Sequence, residues 1–287
     1  MDTIIGLGQA GCNIADVFSQ YKQYKIYKID NELSGLKKDG IYNMPWQCNA
    51  EEYEKRCPDM KSFFKNVKGE VLFVVGGSGG ISGTALRVLE HIKHCEINVL
   101  YIQPDVDLLP ERKKALERST YYILQEYARS GVFKKIFLVS NTMVEDHLGD
   151  VPLVGYHDKL NEMMVSSLHM INVYDHLNPI ADTFSEPHET ARILTFGLAS
   201  AEDGSVKLLF PLDKIKEMRY YYAINKEKLE TDGTLFKKIK QQVKDRAKED
   251  IKTSYGVFST NYEENYAYVV CYSSSIQVRQ EDKNKMT

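Results

Sequence analysis

Glycine carries the chemistry that this sequence advertises. From Val71 to Ile92 it reads VLFVVGGSGGISGTALRVLEHI: an apolar run, glycines at Gly76, Gly77, Gly79, Gly80 and Gly83, then apolar residues at Leu86, Leu89 and Ile92. A buried strand, a glycine-rich turn and an amphipathic helix, in that order, aim backbone N–H groups and a helix N-terminus at one point, as α/β sheets do to hold a phosphate. One such turn can equally serve a tight bend or close packing. The N-terminal stretch repeats the arrangement: in IIGLGQAGCNIADVF, Gly6, Gly8 and Gly11 stand between Ile4-Ile5 and a helix carrying Ile14, Val17 and Phe18. Two parallel strands can direct two such turns at one ligand.

Other reactive residue types point to less. Cysteines fall at 12, 48, 57, 95 and 271, with no pair at metal-ligand spacing, which fits a reducing cytoplasm. His147, His157, His169 and His176 lie on or near one long helix without the i,i+4 pair and third partner that zinc needs, so no metal site is expected. Ser78 and Ser82 lack the G-x-S-x-G nucleophile elbow. Lys237, Lys238 and Lys240 share a helix with Asp245, Glu249 and Asp250, which reads as a solvated face. With a net charge of −3 and both signs mixed throughout, no direct nucleic-acid binding is expected. No signal stretch or membrane-length apolar run is present, so the expectation is a soluble cytoplasmic protein with no membrane insertion.

The elements that must position the glycines follow from periodicity. Strands are predicted at Thr3–Leu7, at Lys25–Ile29 ending in Asp30-Asn31-Glu32, at Ile97–Ile102, and at Lys135–Val139 ending in Ser140-Asn141. Helices are predicted at Asn13–Tyr21 and at Glu111–Arg129, the latter with Leu116, Ile123 and Tyr127 along its stripe. Residues 34–59 read as loop-rich. This alternation gives a parallel sheet whose ligand crevice lies at the C-terminal strand ends. Tyr156–Leu177 reads as a long helix with a wide buried face, in which Met163, Met164 and Met170 fill core. Beyond Pro179 the chain restarts with a strand at Arg192–Phe196, a short helix at Pro211–Met218 and a strand at Tyr220–Ile224. A helix follows at Leu235–Asp250, its inner side made of Leu235, Phe236, Ile239, Val243 and Ala247. Tyr255–Ser259 and Tyr266–Tyr272 then read as a hairpin, and Gln280–Thr287 as a frayed polar end. The expected fold class is α/β: a parallel-sheet nucleotide-binding domain (1–155), a long central helix (156–178) and a smaller α+β domain (179–287).

Gly6, Gly8 and Gly11 fit the dinucleotide fingerprint G-x-G-x-x-G, with Asp30 near the place of its ribose-binding acid. A nicotinamide- or flavin-dependent enzyme is therefore one reading, but it leaves the second turn unused. Nothing resembles G-x-x-x-x-G-K-[ST]. GQAGCNIA, residues 8–15, resembles the first nucleotide loop of the tubulin and FtsZ superfamily. GGSGGISGT, residues 76–84, resembles that superfamily's central loop, with Ser78 at the usual threonine and Ile81 at the last signature glycine. The likeness runs on through Asn141 and through Leu160-Asn161-Glu162, and covers most of the chain.

The resemblance implies a compact prokaryotic or bacteriophage-type member that binds GTP or GDP. Gly8, Gln9, Ala10, Gly11 and Cys12 would lie on one side of the phosphates. Gly76, Gly77, Ser78, Gly79 and Gly80 would lie on the other, with Mg2+ held by phosphates and water. Asn141 would sit near the ribose and Asn161 at the guanine. It also implies a head-to-tail homopolymer in which an acid after the long helix of one subunit positions water at the next. Asp182 is the first choice and Asp175 the second, in a stretch shorter than the family's PG-x-x-N-x-D pattern. A DNA adaptor or a capsid would be the cargo, in a host cytoplasm if the source is viral. If position 81 requires positive φ, isoleucine there costs about 1 to 3 kcal/mol, which would suit a non-hydrolysing, nucleotide-binding structural relative.

Overall fold

The computed structural model describes residues 1–33, 39–247, 249–279 and 282–283. In chain order its first elements are β1 (Thr3–Leu7), α1 (Gly8–Phe18), β2 (Lys25–Asp30), β3 (Ile41–Asn43), α2 (Ala50–Lys55) and β4 (Glu70–Gly76). A 3-10 turn (Gly80–Thr84) then runs into α3 (Ala85–His91), followed by β5 (Glu96–Gln103), α4 (Glu111–Arg129), β6 (Lys135–Ser140), α5 (Asn141–Leu148) and α6 (Tyr156–Asp175). The remainder is β7 (Ala181–Asp182), β8 (Ile193–Ala199), β9 (Val206–Leu208), β10 (Ile215–Asn225), α7 (Lys226–Thr231), α8 (Leu235–Arg246), β11 (Lys252–Thr260) and β12 (Tyr266–Ser273). Of the polar end and the loop-rich stretch expected from sequence, residues 280–281, 284–287 and 34–38 lie outside the described residues.

The strands with unbroken apolar runs occupy the middle, because parallel strands covered on both faces have no polar side. The order is β3-β2-β1-β4-β5-β6-β8-β12-β10-β11-β7, with β9 beside β8. From β3 to β8 every pairing is parallel. β12 runs antiparallel between β8 and β10. β6 meets β8 over only Ile136–Ile193 and Phe137–Leu194, so the two halves of the sheet join at a short seam. One face packs α1, α5 and α6 through Ile14, Phe18, Val144, Leu160, Met164 and Leu168. The other packs α2, α3, α4 and α8 through Tyr53, Val88, Leu89, Tyr121, Leu124 and Ile239. Among the described residues no helix is long and apolar enough to cross a membrane.

Four expectations are corrected. The first helix begins at Gly8, not Asn13, so the residues expected to form a loop are its first turn. In α4 the buried side is Glu117, Thr120, Tyr121, Leu124, Gln125 and Ala128, while Ile123 and Tyr127 are exposed. Glu117 can face inward because Arg279 pairs with it there. Residues 211–218 do not form a helix; β10 starts at Ile215, and its register with β12 shifts between Ile215 and Glu217. Finally, β11 and β12 do not form a hairpin: β10 lies between them. The connecting loop is tied over the end of β10 by Asn225, whose Nδ2 donates to Tyr262 O at 2.6 Å and whose N–H donates to Asn265 Oδ1 at 3.1 Å.

Candidate nucleotide site

The two glycine turns leave neighbouring strands at the same level. Leu7 of β1 pairs with Val75 of β4. At the first turn, Gly8 adopts φ +70, a left-handed conformation open to glycine, and so turns the strand directly into α1. No side chain caps α1. Its leading N–H groups, at Gln9 and Ala10, precede the first intrahelical bond and lie at the positive end of the helix dipole. Gly6 and Gly11 serve packing instead. A Cβ on Gly6 would lie 2.3 Å from Gly11 O, and one on Gly11 2.5 Å from Val74 O.

The second turn is shaped from within. The Ser82 hydroxyl donates to Gly79 O at 2.5 Å, and its N–H to the same oxygen at 3.0 Å. Gly77 lies directly on the side chains of Tyr101 and Glu117, where a Cβ would come within 2.1 and 2.8 Å of them. Ile81 is buried, and its Cγ2 would be 2.7 Å from a Cβ on Gly8 and 3.9 Å from one on Gly79. Across the gap, a Cβ on Gly76 would meet Ala10 Cβ at 3.2 Å. The turns thus touch each other, with the Ile81 side chain between them. The strain expected at Ile81 does not arise: among the described residues Lys214 is the one non-glycine with positive φ, because the chain enters a 3-10 turn at Gly80 and gives Ile81 an ordinary backbone.

Around this edge, Gln9 and Gly79 are exposed, and Ser78, Gly80, Asn141 and Asn161 are half-buried. Asn141 opens α5 at the end of β6, and Asn161 lies in the second turn of α6. Ser78 and Gly80 also form one wall of a 640 Å³ groove closed on its other sides by α2, α3 and α4. Cys12 is buried under the first turn, its thiol pushed up to about 12 by burial and then by the nearby Asp30 carboxylate. Asp30 ends β2 in a buried position that raises its own pKa. The sequence reading gave Asp30 a role only in the dinucleotide alternative and gave Ser82 none; their contacts form in three dimensions.

Asp175 and Asp182 are elsewhere. α6 runs from Asn161 down to Asn172, whose Oδ1 accepts from the Met1 ammonium at 2.9 Å at the base of β1. Asp175 lies beyond that point, accepting from Tyr221 OH at 2.6 Å. At about 1.5 Å per residue, the helix puts some 20 Å between Asn161 and Asp175. Asp182 is exposed in β7, where its Oδ1 accepts from the N–H of Phe184 at 2.9 Å. Asp175 therefore ends α6 and Asp182 lies beyond it, both away from the glycine turns. Among the described residues, no cluster of three His, Cys, Asp or Glu side chains is placed to hold a metal.

No protein-family model and no curated protein sequence matches this chain. Solved structures do. GDP-form protofilaments of TubZ from Bacillus thuringiensis serovar israelensis superpose over 100% of this chain and 87% of theirs, with a TM-score of 0.73 and 14% identity. The chain has the tubulin/FtsZ fold. An FtsZ dimer from M. jannaschii superposes over 94% of this chain and 87% of its own, with a TM-score of 0.66 and 13% identity. A helical model of a two-stranded TubZ-Bt filament gives 0.72 over 98% and 86%, at 14% identity. At 13 to 14% identity the likeness is one of fold alone.

Proposed function

We propose that this protein binds GTP and GDP at the paired glycine turns and assembles head to tail into filaments. The observation that carries this reading is the contact of the two turns, Gly8 against Ile81 and Ala10 against Gly76, at one edge of a tubulin/FtsZ sheet. A polyphosphate held by backbone N–H groups of both turns would need no lysine, since bonds from backbone N–H to charged oxygen are roughly twice as strong as neutral ones. The similar TubZ structures are described as GDP-form and GTPγS-form protofilaments, which supports a guanine nucleotide here. In this reading Asn141 meets the ribose and Asn161 the base. Mg2+ is held by phosphate oxygens and water. Residues 1–155 form the nucleotide-binding part, 156–178 the connecting helix and 179–287 the smaller part.

Assembly follows from where exposed apolar residues lie. Trp46, Leu108, Leu153 and Val154 stand 70, 80, 92 and 93% exposed in loops at the glycine-turn end. Leu177 and Ile180 stand 52 and 64% exposed after the far end of α6, beside Asp175 and Asp182. Two different sticky ends on one subunit make a heterologous contact, which extends rather than closes. It would also carry Asp175 or Asp182 to the next subunit's phosphates, completing hydrolysis there. Ile81 supports a second reading, binding and assembly without hydrolysis, because its side chain occupies space between the turns.

The test is sedimentation with GTP, GDP, ATP or NADH, with phosphate release followed in parallel. GTP-dependent pelleting is expected. Val154→Lys and Ile180→Lys should each prevent pelleting while leaving nucleotide binding intact, and an equimolar mixture should stop at dimers, since one good face of each kind remains. Filaments from either variant alone would remove the head-to-tail arrangement, and binding of NADH in preference to GTP would remove the nucleotide assignment.

A further inference from the structure

The second glycine turn rests on a buried ionic pair that joins α4 to the C-terminal segment. Glu117 of α4 is fully buried, and Arg279 pairs with it from the C-terminal segment, its own side chain 8% exposed. Tyr101 OH donates to Glu117 Oε1 at 2.5 Å, and the Arg279 guanidinium lies 5.2 Å from the Tyr121 ring centre. Gly77 sits on this group so closely that a Cβ would overlap both Tyr101 and Glu117.

The segment that delivers Arg279 is firmly placed. The Gln277 N–H donates to Gln125 Oε1 at 2.8 Å, and the Arg279 N–H to Tyr122 OH at 3.2 Å. Asp282 accepts from Tyr122 OH at 2.6 Å and pairs with Arg118 at 2.8 Å. Arg279 also lines a 360 Å³ cavity with Gln103, Asp105, Ser140 and Thr142, at the strand ends next to the turn.

Resting on the nucleotide reading above, we propose that Arg279 is a positioning residue for the second glycine turn. It clamps Glu117, Glu117 fixes the Tyr101 hydroxyl, and the two side chains form the floor on which Gly77 is seated. The C-terminal segment is thereby part of the phosphate site without touching the ligand.

The experiment compares Arg279→Met, Arg279→Lys and, as a control matched for stability, Ile239→Ala in the buried face of α8. A fluorescent GTP analogue reads affinity below the assembly concentration, and amide hydrogen exchange reads residues 76–84 without nucleotide. Breaking one side of a buried pair is costly enough that Arg279→Met should weaken binding by about tenfold or more and speed exchange in the turn by a similar factor. Arg279→Lys, which keeps the charge but loses the planar fork and its seat over the Tyr121 ring, should fall between wild type and Arg279→Met on both. Ile239→Ala should lose stability with neither change. Wild-type affinity and exchange in Arg279→Met, or equal effects in Ile239→Ala, would overturn the proposal. If wild-type protein bound no guanine nucleotide, the functional reading would fail and the exchange arm would still decide the positioning role. Should Arg279→Met not fold, the double variant Glu117→Gln/Arg279→Met removes both charges; the same losses are expected, and wild-type behaviour would refute the role.

Discussion

Replacing Gly8 by alanine tests whether the two turns are in contact through Ile81. The new Cβ would lie 2.7 Å from Ile81 Cγ2, whereas apolar carbons rest at about 3.5 to 4.0 Å. About 1 Å of overlap must be relieved in a buried site. Overpacking of that kind costs roughly 1 to 3 kcal/mol, and the left-handed backbone at φ +70 adds roughly 1 to 2 kcal/mol for a residue with a Cβ. Gly8→Ala should therefore lower stability by about 2 to 5 kcal/mol. Ile81→Ala, at a position 7% exposed, should cost about 2 to 5 kcal/mol through lost packing.

The informative quantity is their coupling. In the double variant the overlap disappears while the backbone cost stays, so the loss should fall short of the sum by about 1 to 3 kcal/mol. Urea unfolding of the four proteins at constant m-value measures this directly. Additivity to within about 0.5 kcal/mol would mean that Ile81 does not occupy the space beside Gly8, and the picture of two touching turns would be wrong. Gly8→Ala alone should also abolish nucleotide binding, because the N–H groups of Gln9 and Ala10 turn with the backbone that aims them.

Two further outcomes follow from the structure. His169 stacks on Tyr21 with ring centres 3.6 Å apart and contacts Tyr24 OH at 2.9 Å, and burial lowers its pKa. The unfolded chain then takes up the proton first, so stability should be intact above about pH 6.5 and fall as pH drops below it, by at most about 1.4 kcal/mol per unit. Melting curves between pH 7.5 and 5.5 should show this slope, reduced in His169→Phe; a slope unchanged by the substitution would assign it elsewhere. Asp182→Asn or Asp175→Asn should leave nucleotide affinity unchanged and cut phosphate release in assembled protein by roughly a hundredfold or more, and full turnover in both variants would exclude either acid from the reaction.

What the sequence discloses about the fold depends on the range of the interaction that decides it. The strands Thr3–Leu7 and Lys135–Ser140 and the helix Glu111–Arg129 announce themselves through apolar runs and breakers within a few residues. The facing of α4 is not announced. Leu116, Ile123 and Tyr127 make the more apolar stripe, yet the helix buries Glu117 and Gln125, because Arg279 and Gln277 arrive from the C-terminal segment to satisfy them. The same holds for β11 and β12. A five-residue loop between two apolar strands ordinarily closes a hairpin, but β10, with an uninterrupted buried run from Tyr220 to Ile224, takes the place between them.

The site divides along the same line. Its backbone half was legible, because left-handed turns and close backbone contacts demand glycine, and only glycine writes that demand into sequence. Its side-chain half was not: Ser82 closing the turn, Asp30 beside Cys12, and the Tyr101–Glu117–Arg279 floor are ordinary residue types whose roles exist only after folding. The position that most invites a wrong inference is Ile81. A β-branched residue at a family glycine suggests a strained or broken loop, but the 3-10 turn beginning at Gly80 gives it an unstrained backbone and a buried seat against Gly8. The substitution therefore bears on the volume left between the turns rather than on their integrity, and under the proposed function that volume, set by one side chain, is what separates the reading with hydrolysis from the reading without it.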